Sequence, residues 1–108
     1  MRRDSNMDLK TTKYSELLKN EYTVFLNYLK AKQPLFHNAN LFLRDFEYGV
    51  KRFLEKKEIK ITTPEAETIA SDLSGFLVKQ GILVPINERA WKLNYPDFVT
   101  TKPGDPLS

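Results

Sequence analysis

The chain contains no cysteine in its 108 residues, so neither a disulfide nor a thiolate zinc site can form, which suits a reducing compartment. Histidine is nearly as scarce. The single one, His37, sits in a polar connection with only amides and one carboxylate, Asp45, nearby, which is too few ligands for a metal. No apolar run approaches the roughly 20 residues needed to cross a bilayer. The opening MRRDSNMDLK has basic residues but no apolar stretch behind them, so no secretory leader is expected and the location expected is cytoplasmic or nuclear. Also missing are a Gly-flanked serine, a phosphate-cradling glycine loop and a paired-carboxylate motif. No enzyme is expected, and neither a cofactor nor a small-molecule substrate.

What remains is an ordinary folding composition. Hydrophobic residues make up 41% and aromatics 12%, and a chain of this length can bury about two thirds of its unfolded surface. Seventeen Lys and Arg against 14 Asp and Glu leave a net charge of +3. That permits attraction to anionic surfaces without demanding it, so the placement of the charge matters more than its sum.

The polar, aperiodic residues 1–12 read as a flexible basic arm containing Arg2 and Arg3. From Ser15, a plausible N-cap, Leu17, Leu18, Tyr22, Phe25, Leu26 and Leu29 recur at helical spacing and predict one helix ending before Pro34. QPLFHNAN reads as a connection, with Asn40 capping a second helix whose stripe is Leu43, Phe46, Val50, Phe53 and Leu54. EIKIT alternates apolar and polar and predicts a short edge strand. Thr63 as cap and Pro64 in the first turn start a third helix, with Ala66, Ile69, Ala70, Leu73 and Leu77 on its inner face and Gly81 as its stop. ILVPI and AWKLNY flank NER as a hairpin. The fold class expected is therefore α+β, winged-helix-like: three helices with a small antiparallel sheet, one domain over residues 13–96, and a flexible Pro-rich tail over 97–108.

FEYGVKRFL, and EAETIASDL followed by VKQGIL, resemble segments of the DEP family of winged helices over residues 46–93. The resemblance implies a non-catalytic adaptor that binds membrane proteins or acidic lipids.

In many winged helices the third helix reads DNA. Here its outer side carries Glu65, Glu67, Thr68, Ser71, Asp72, Gly75 and Lys79, three acids against one base, which repels a polyanion. Base readout also favours Arg, Asn or Gln near the leading end, where Pro64, Glu65 and Glu67 stand. Gly75 reads as a glycine tolerated in mid-helix, with a close backbone approach as one reason for it. The cations lie elsewhere: Lys51, Arg52, Lys56, Lys57 and Lys60, joined by Arg89 and Lys92 of the hairpin. This set reads either as a solvated helix end or as a patch for nucleic acid, anionic membrane or an acidic partner. Trp91 reads either as core or, if exposed on the hairpin beside Arg89, as a contact anchor. The first helix, with Tyr14, Tyr22, Val24 and Tyr28 added to its core stripe, is apolar over more than one face and so a candidate contact surface. The function expected is a protein-interaction module, an adaptor or assembly subunit, contacting a protein partner or a second copy through Tyr22, Tyr28, Arg89 and Trp91. The rivals are a DNA-binding regulator docking through the basic residues and a membrane-targeting domain.

Overall fold

The computed structural model describes residues 9–98. Its helices are α1 (Leu9–Asn20), α2 (Tyr22–Lys32), α3 (Leu43–Lys56) and α4 (Thr63–Lys79), and its strands are β1 (Asn40–Phe42), β2 (Leu83–Asn87) and β3 (Ala90–Leu93). The strands form one antiparallel sheet in the order β1-β3-β2. Among the described residues no helix is long and apolar enough to cross a membrane.

The expected three helices are four, because the first is interrupted at Glu21. Glu21 leaves helical geometry (φ −114°, ψ 30°), yet its N–H donates to the Leu17 carbonyl at 3.0 Å and its carbonyl accepts from Phe25 N–H at 2.9 Å. The hydrogen-bond ladder therefore continues through a bend, and a spacing argument cannot see such a bend. The two halves serve different neighbours. α1 packs on α4 through the small polar residues Thr11 and Ser15 together with Leu18, while α2 packs on α3 through Phe25, Leu26 and Leu29. α1 also begins at Leu9, so residues 9–12 of the expected arm are helical. The rest of the arm lies outside the described residues.

Two further expectations are corrected. Asn40 caps nothing: Asn40, Leu41 and Phe42 pair with Lys92, Trp91 and Ala90, and α3 follows with no side-chain cap. EIKIT forms no strand. Glu58, at φ 65°, turns the chain out of α3, and Ile59 and Ile61 pack into the core without pairing. α4 then starts one residue early. Thr62 Oγ1 accepts from Glu65 N–H at 3.2 Å while Glu65 Oε1 accepts from Thr62 N–H at 2.8 Å, a reciprocal cap that leaves Pro64 in the first turn. At the other end Gly81 takes φ 79°, the left-handed conformation its position demands.

A series of aromatic contacts ties the layers together. Trp91 of β3 meets Phe46 of α3 at 5.3 Å, Phe46 meets Phe25 of α2 at 5.5 Å, and Phe25 meets Phe53 at 5.4 Å. Gly49 sits where α2 presses on α3; a methyl group there would come within 2.5 Å of Leu29 Cδ2. The chain past β3 is folded as far as Phe98, inside the expected tail. Phe98 is buried, its carbonyl accepts from His37 N–H, and His37 Nδ1 accepts from Tyr95 N–H at 3.1 Å.

Candidate functional site

α4 lies beneath α1 along one flank. Asp72 accepts a hydrogen bond from the buried Ser15 hydroxyl and pairs with Lys19 Nζ at 2.9 Å, and Glu65 lies 3.6 Å from Lys10 Nζ. Burial alone would raise the Asp72 carboxyl, but the hydrogen bonds from Lys19 and Ser15 and the Lys19 charge outweigh it and hold it below the usual range. Two of the three acids on this helix are thus occupied in holding α1. Exposed beside them are Glu67, Ser71 and Gly75. In the groove between α3 and α4, burial and the charge of Glu67 raise the Glu47 carboxyl, with Arg44 opposing. The open side of α4 offers no cluster of cations. Nothing approaches within 4 Å of a methyl group built on Gly75, so this glycine is tolerated in the helix without the close backbone approach offered as its reason.

The basic set is divided by α3. The tip of the hairpin adjoins the start of that helix, where Leu43 N–H donates to the Arg89 carbonyl at 2.8 Å, whereas Lys56 and Lys57 stand at its far end, about 20 Å away at 1.5 Å per residue. Lys92 lies on the outer face of the sheet, paired in register with Asn40 and Val84. Lys51 Nζ reaches Thr63 Oγ1 at 3.4 Å, Arg52 pairs with Glu55 at 3.3 Å, Lys57 pairs with Glu21 at 3.2 Å, and Lys60 is exposed in the connection to α4. Residues 51–60 form one basic end of the molecule, with Arg89 and Lys92 on another surface.

Of the expected contact residues, Trp91 is 8% exposed and packs on Phe46, so it is a core residue and offers a partner no face. Tyr22 is half-buried and meets Phe76 of α4 at 6.0 Å. Tyr28 is half-buried against Phe53 at 5.4 Å, and Lys32 and Lys56 stand over its ring. Arg89 is exposed at the hairpin turn, where its N–H donates to Asn87 Oδ1 at 2.7 Å.

Val24, on the expected surface of the first helix, is 52% exposed, and further exposed apolar residues lie on the sheet. Phe42, Val84 and Ile86 are 51%, 46% and 49% exposed. The register puts Phe42, Ala90 and Asn87 in one row across the sheet and Asn40, Lys92 and Val84 in the next, both on the outer face, while Leu41, Trp91 and Leu93 point into the core. Ile86 stands in the irregularity between Pro85 and Asn87. Beside this face is a depression of about 590 Å3, walled by Phe42 and Asn87 to Arg89, with buried Ala90 among its lining. Alternation along Asn40-Leu41-Phe42 is the signal that would have located Phe42, but three residues are too few to read as a strand. Tyr48 of α3, 60% exposed, was likewise legible only as a residue off the stripe of Phe46, Val50 and Phe53. Among the described residues no group of three or more His, Asp or Glu side chains is placed to hold a metal. Neither a protein-family model, nor a curated protein, nor a solved structure matches this chain.

Proposed function

We propose that the chain is a winged-helix-like interaction module, without catalytic activity, that engages a protein partner through the outer face of its sheet. The element order supports the architecture: a helical unit, a strand, two helices and a hairpin, with β3 central and α1 and α2 together standing in the place of one helix. The resemblance to DEP adaptors points the same way. The observation that carries the functional reading is the sheet face itself, where Phe42, Val84 and Ile86 stand in water beside an Ala90-lined depression. Apolar side chains grouped on one surface and rimmed by Arg89, Lys92 and Asn87 have the anatomy of a contact patch, and the small alanine leaves room for a partner's side chain. Duplex reading through α4 is disfavoured because Glu65 and Asp72 are tied to α1 and Glu67 remains exposed.

The test compares the wild-type chain with a Phe42→Asp, Ile86→Asp double variant, both positions being exposed enough for the fold to tolerate the change. Affinity purification with mass spectrometry should recover a partner with the wild type and lose it with the variant, and light scattering should show any self-association lost in the same way. Identical recoveries and identical masses for the two proteins would overturn the reading.

A further inference from the structure

Two tyrosine rings and three cations meet where α2 passes α3. Tyr28 and Tyr48 line a cleft of about 270 Å3 together with Lys32, Gly49, Arg52 and Asp45. Arg52 Cζ lies 5.4 Å from the centre of the Tyr48 ring, and Lys32 and Lys56 Nζ lie 5.4 and 5.8 Å from that of Tyr28. Beyond Tyr28 a second concavity, edged by Val24, Phe53, Lys56 and Lys57, shares the same ring. The surface therefore continues as a track of alternating rings and charges, with Arg52 and Lys56 one helical turn, about 6 Å, apart on α3.

We propose that this α2–α3 cleft binds single-stranded nucleic acid, with bases stacking on Tyr28 and Tyr48 and phosphates meeting Lys32, Arg52 and Lys56. Rings to stack on and cations along a groove are the two components of such recognition, and both are present within one cleft. The continuation of the cleft past Tyr28 into the second concavity suits a polymer. Duplex DNA keeps its base faces stacked away and cannot use the tyrosines. A lipid surface is met by a group of protruding apolar side chains, and Phe42, Val84 and Ile86 form such a group on the sheet, whereas along this cleft the exposed large apolar residues are Val24 and Tyr48. Asp45 opposes a phosphate at its own end of the cleft. Glu55 and Glu21 are held by Arg52 and Lys57 in partly exposed pairs, which a phosphate can displace at little cost. The site is independent of the sheet face and stands or falls separately from it.

Fluorescence anisotropy with a labelled oligothymidylate of about twelve nucleotides tests the proposal, alongside a duplex of equal length and vesicles of phosphatidylcholine with phosphatidylserine. The single strand should bind and compete better than the duplex. With three phosphates neutralised, raising the salt from about 50 to 200 mM should weaken binding roughly twentyfold. Tyr48→Ala, at an exposed position that leaves the fold intact, should weaken it about 5- to 100-fold, and Tyr48→Phe should restore it. Arg52→Glu should weaken binding, while Lys79→Glu, which makes the same change of charge at the far end of α4, should not. Duplex bound as tightly as the single strand, indifference to Tyr48→Ala, binding confined to the anionic vesicles, or no binding at low salt would each overturn it.

Discussion

Replacing Asp72 by alanine should loosen α1 from α4 at the point where the two helices share their polar contact. The substitution takes an acceptor from the Ser15 hydroxyl, which is buried, and an ion-pair partner from Lys19. A buried hydroxyl left without its acceptor costs about 1–3 kcal/mol, towards the lower end here because a helical serine can turn back to the carbonyl one turn earlier. The ion pair is partly exposed and Lys19 keeps Glu16 at 3.4 Å, so its loss adds no more than about 0.5 kcal/mol. A total near 1.5 kcal/mol should lower the midpoint of urea unfolding by about 1 M. Asp72→Asn retains an acceptor for Ser15 and should cost only the ion pair, about 0.5 kcal/mol or less. The pH dependence follows from the sign of the shift. The folded Asp72 carboxyl lies below its ordinary value, so its stabilising effect is complete above the unfolded value of about 3.9 and is lost as the pH falls through the folded one. The gap between wild type and Asp72→Ala should therefore be steady above about pH 4 and narrow as the pH falls below it. A cost at pH 7 below about 0.5 kcal/mol, or a gap that does not narrow in acid, would refute the role assigned to this contact.

Gly75→Ala should stabilise the domain by about 0.5–1 kcal/mol, because the added methyl group enters open space in the middle of a helix; a melting temperature that falls would show a contact there after all. Trp91→Ala should remove about 3–5 kcal/mol, a large part of a typical domain's stability, and circular dichroism should report unfolding, whereas Trp91→Phe should retain the fold; an alanine variant that melts like the wild type would place the indole outside the core.

The long amphipathic segments were legible because their large apolar residues repeat at helical spacing, and α3, α4 and the hairpin lie close to where that spacing puts them. What escaped did so for identifiable reasons. α1 buries Thr11 and Ser15, which count as polar in any hydropathy pattern, so its first turn looked like solvent-exposed arm. The bend at Glu21 keeps its hydrogen bonds and so leaves no break in the repeat. β1 exists only because β3 is there to pair with it, and the alternation of Ile59 and Ile61 reflects packing without pairing. The acidic outer side of α4 was readable from spacing alone, but its engagement by Lys10 and Lys19 required α1 to be in place. The cleft of Tyr28 and Tyr48 joins residues twenty positions apart on different helices, a juxtaposition that only the tertiary fold creates.

The two borders of the sheet restrict how anything can be added to it. β1 is three residues long, and β2 carries Pro85 followed by the irregularity before Asn87, so neither border offers a continuous row of free amides to an incoming strand. Backbone templating, the route by which small sheets recruit one another into fibrils, is thereby hindered on both sides. A visitor to the hairpin must recognise side chains, and a chain with Phe42, Val84 and Ile86 in water can thus keep them available without polymerising through its own margins.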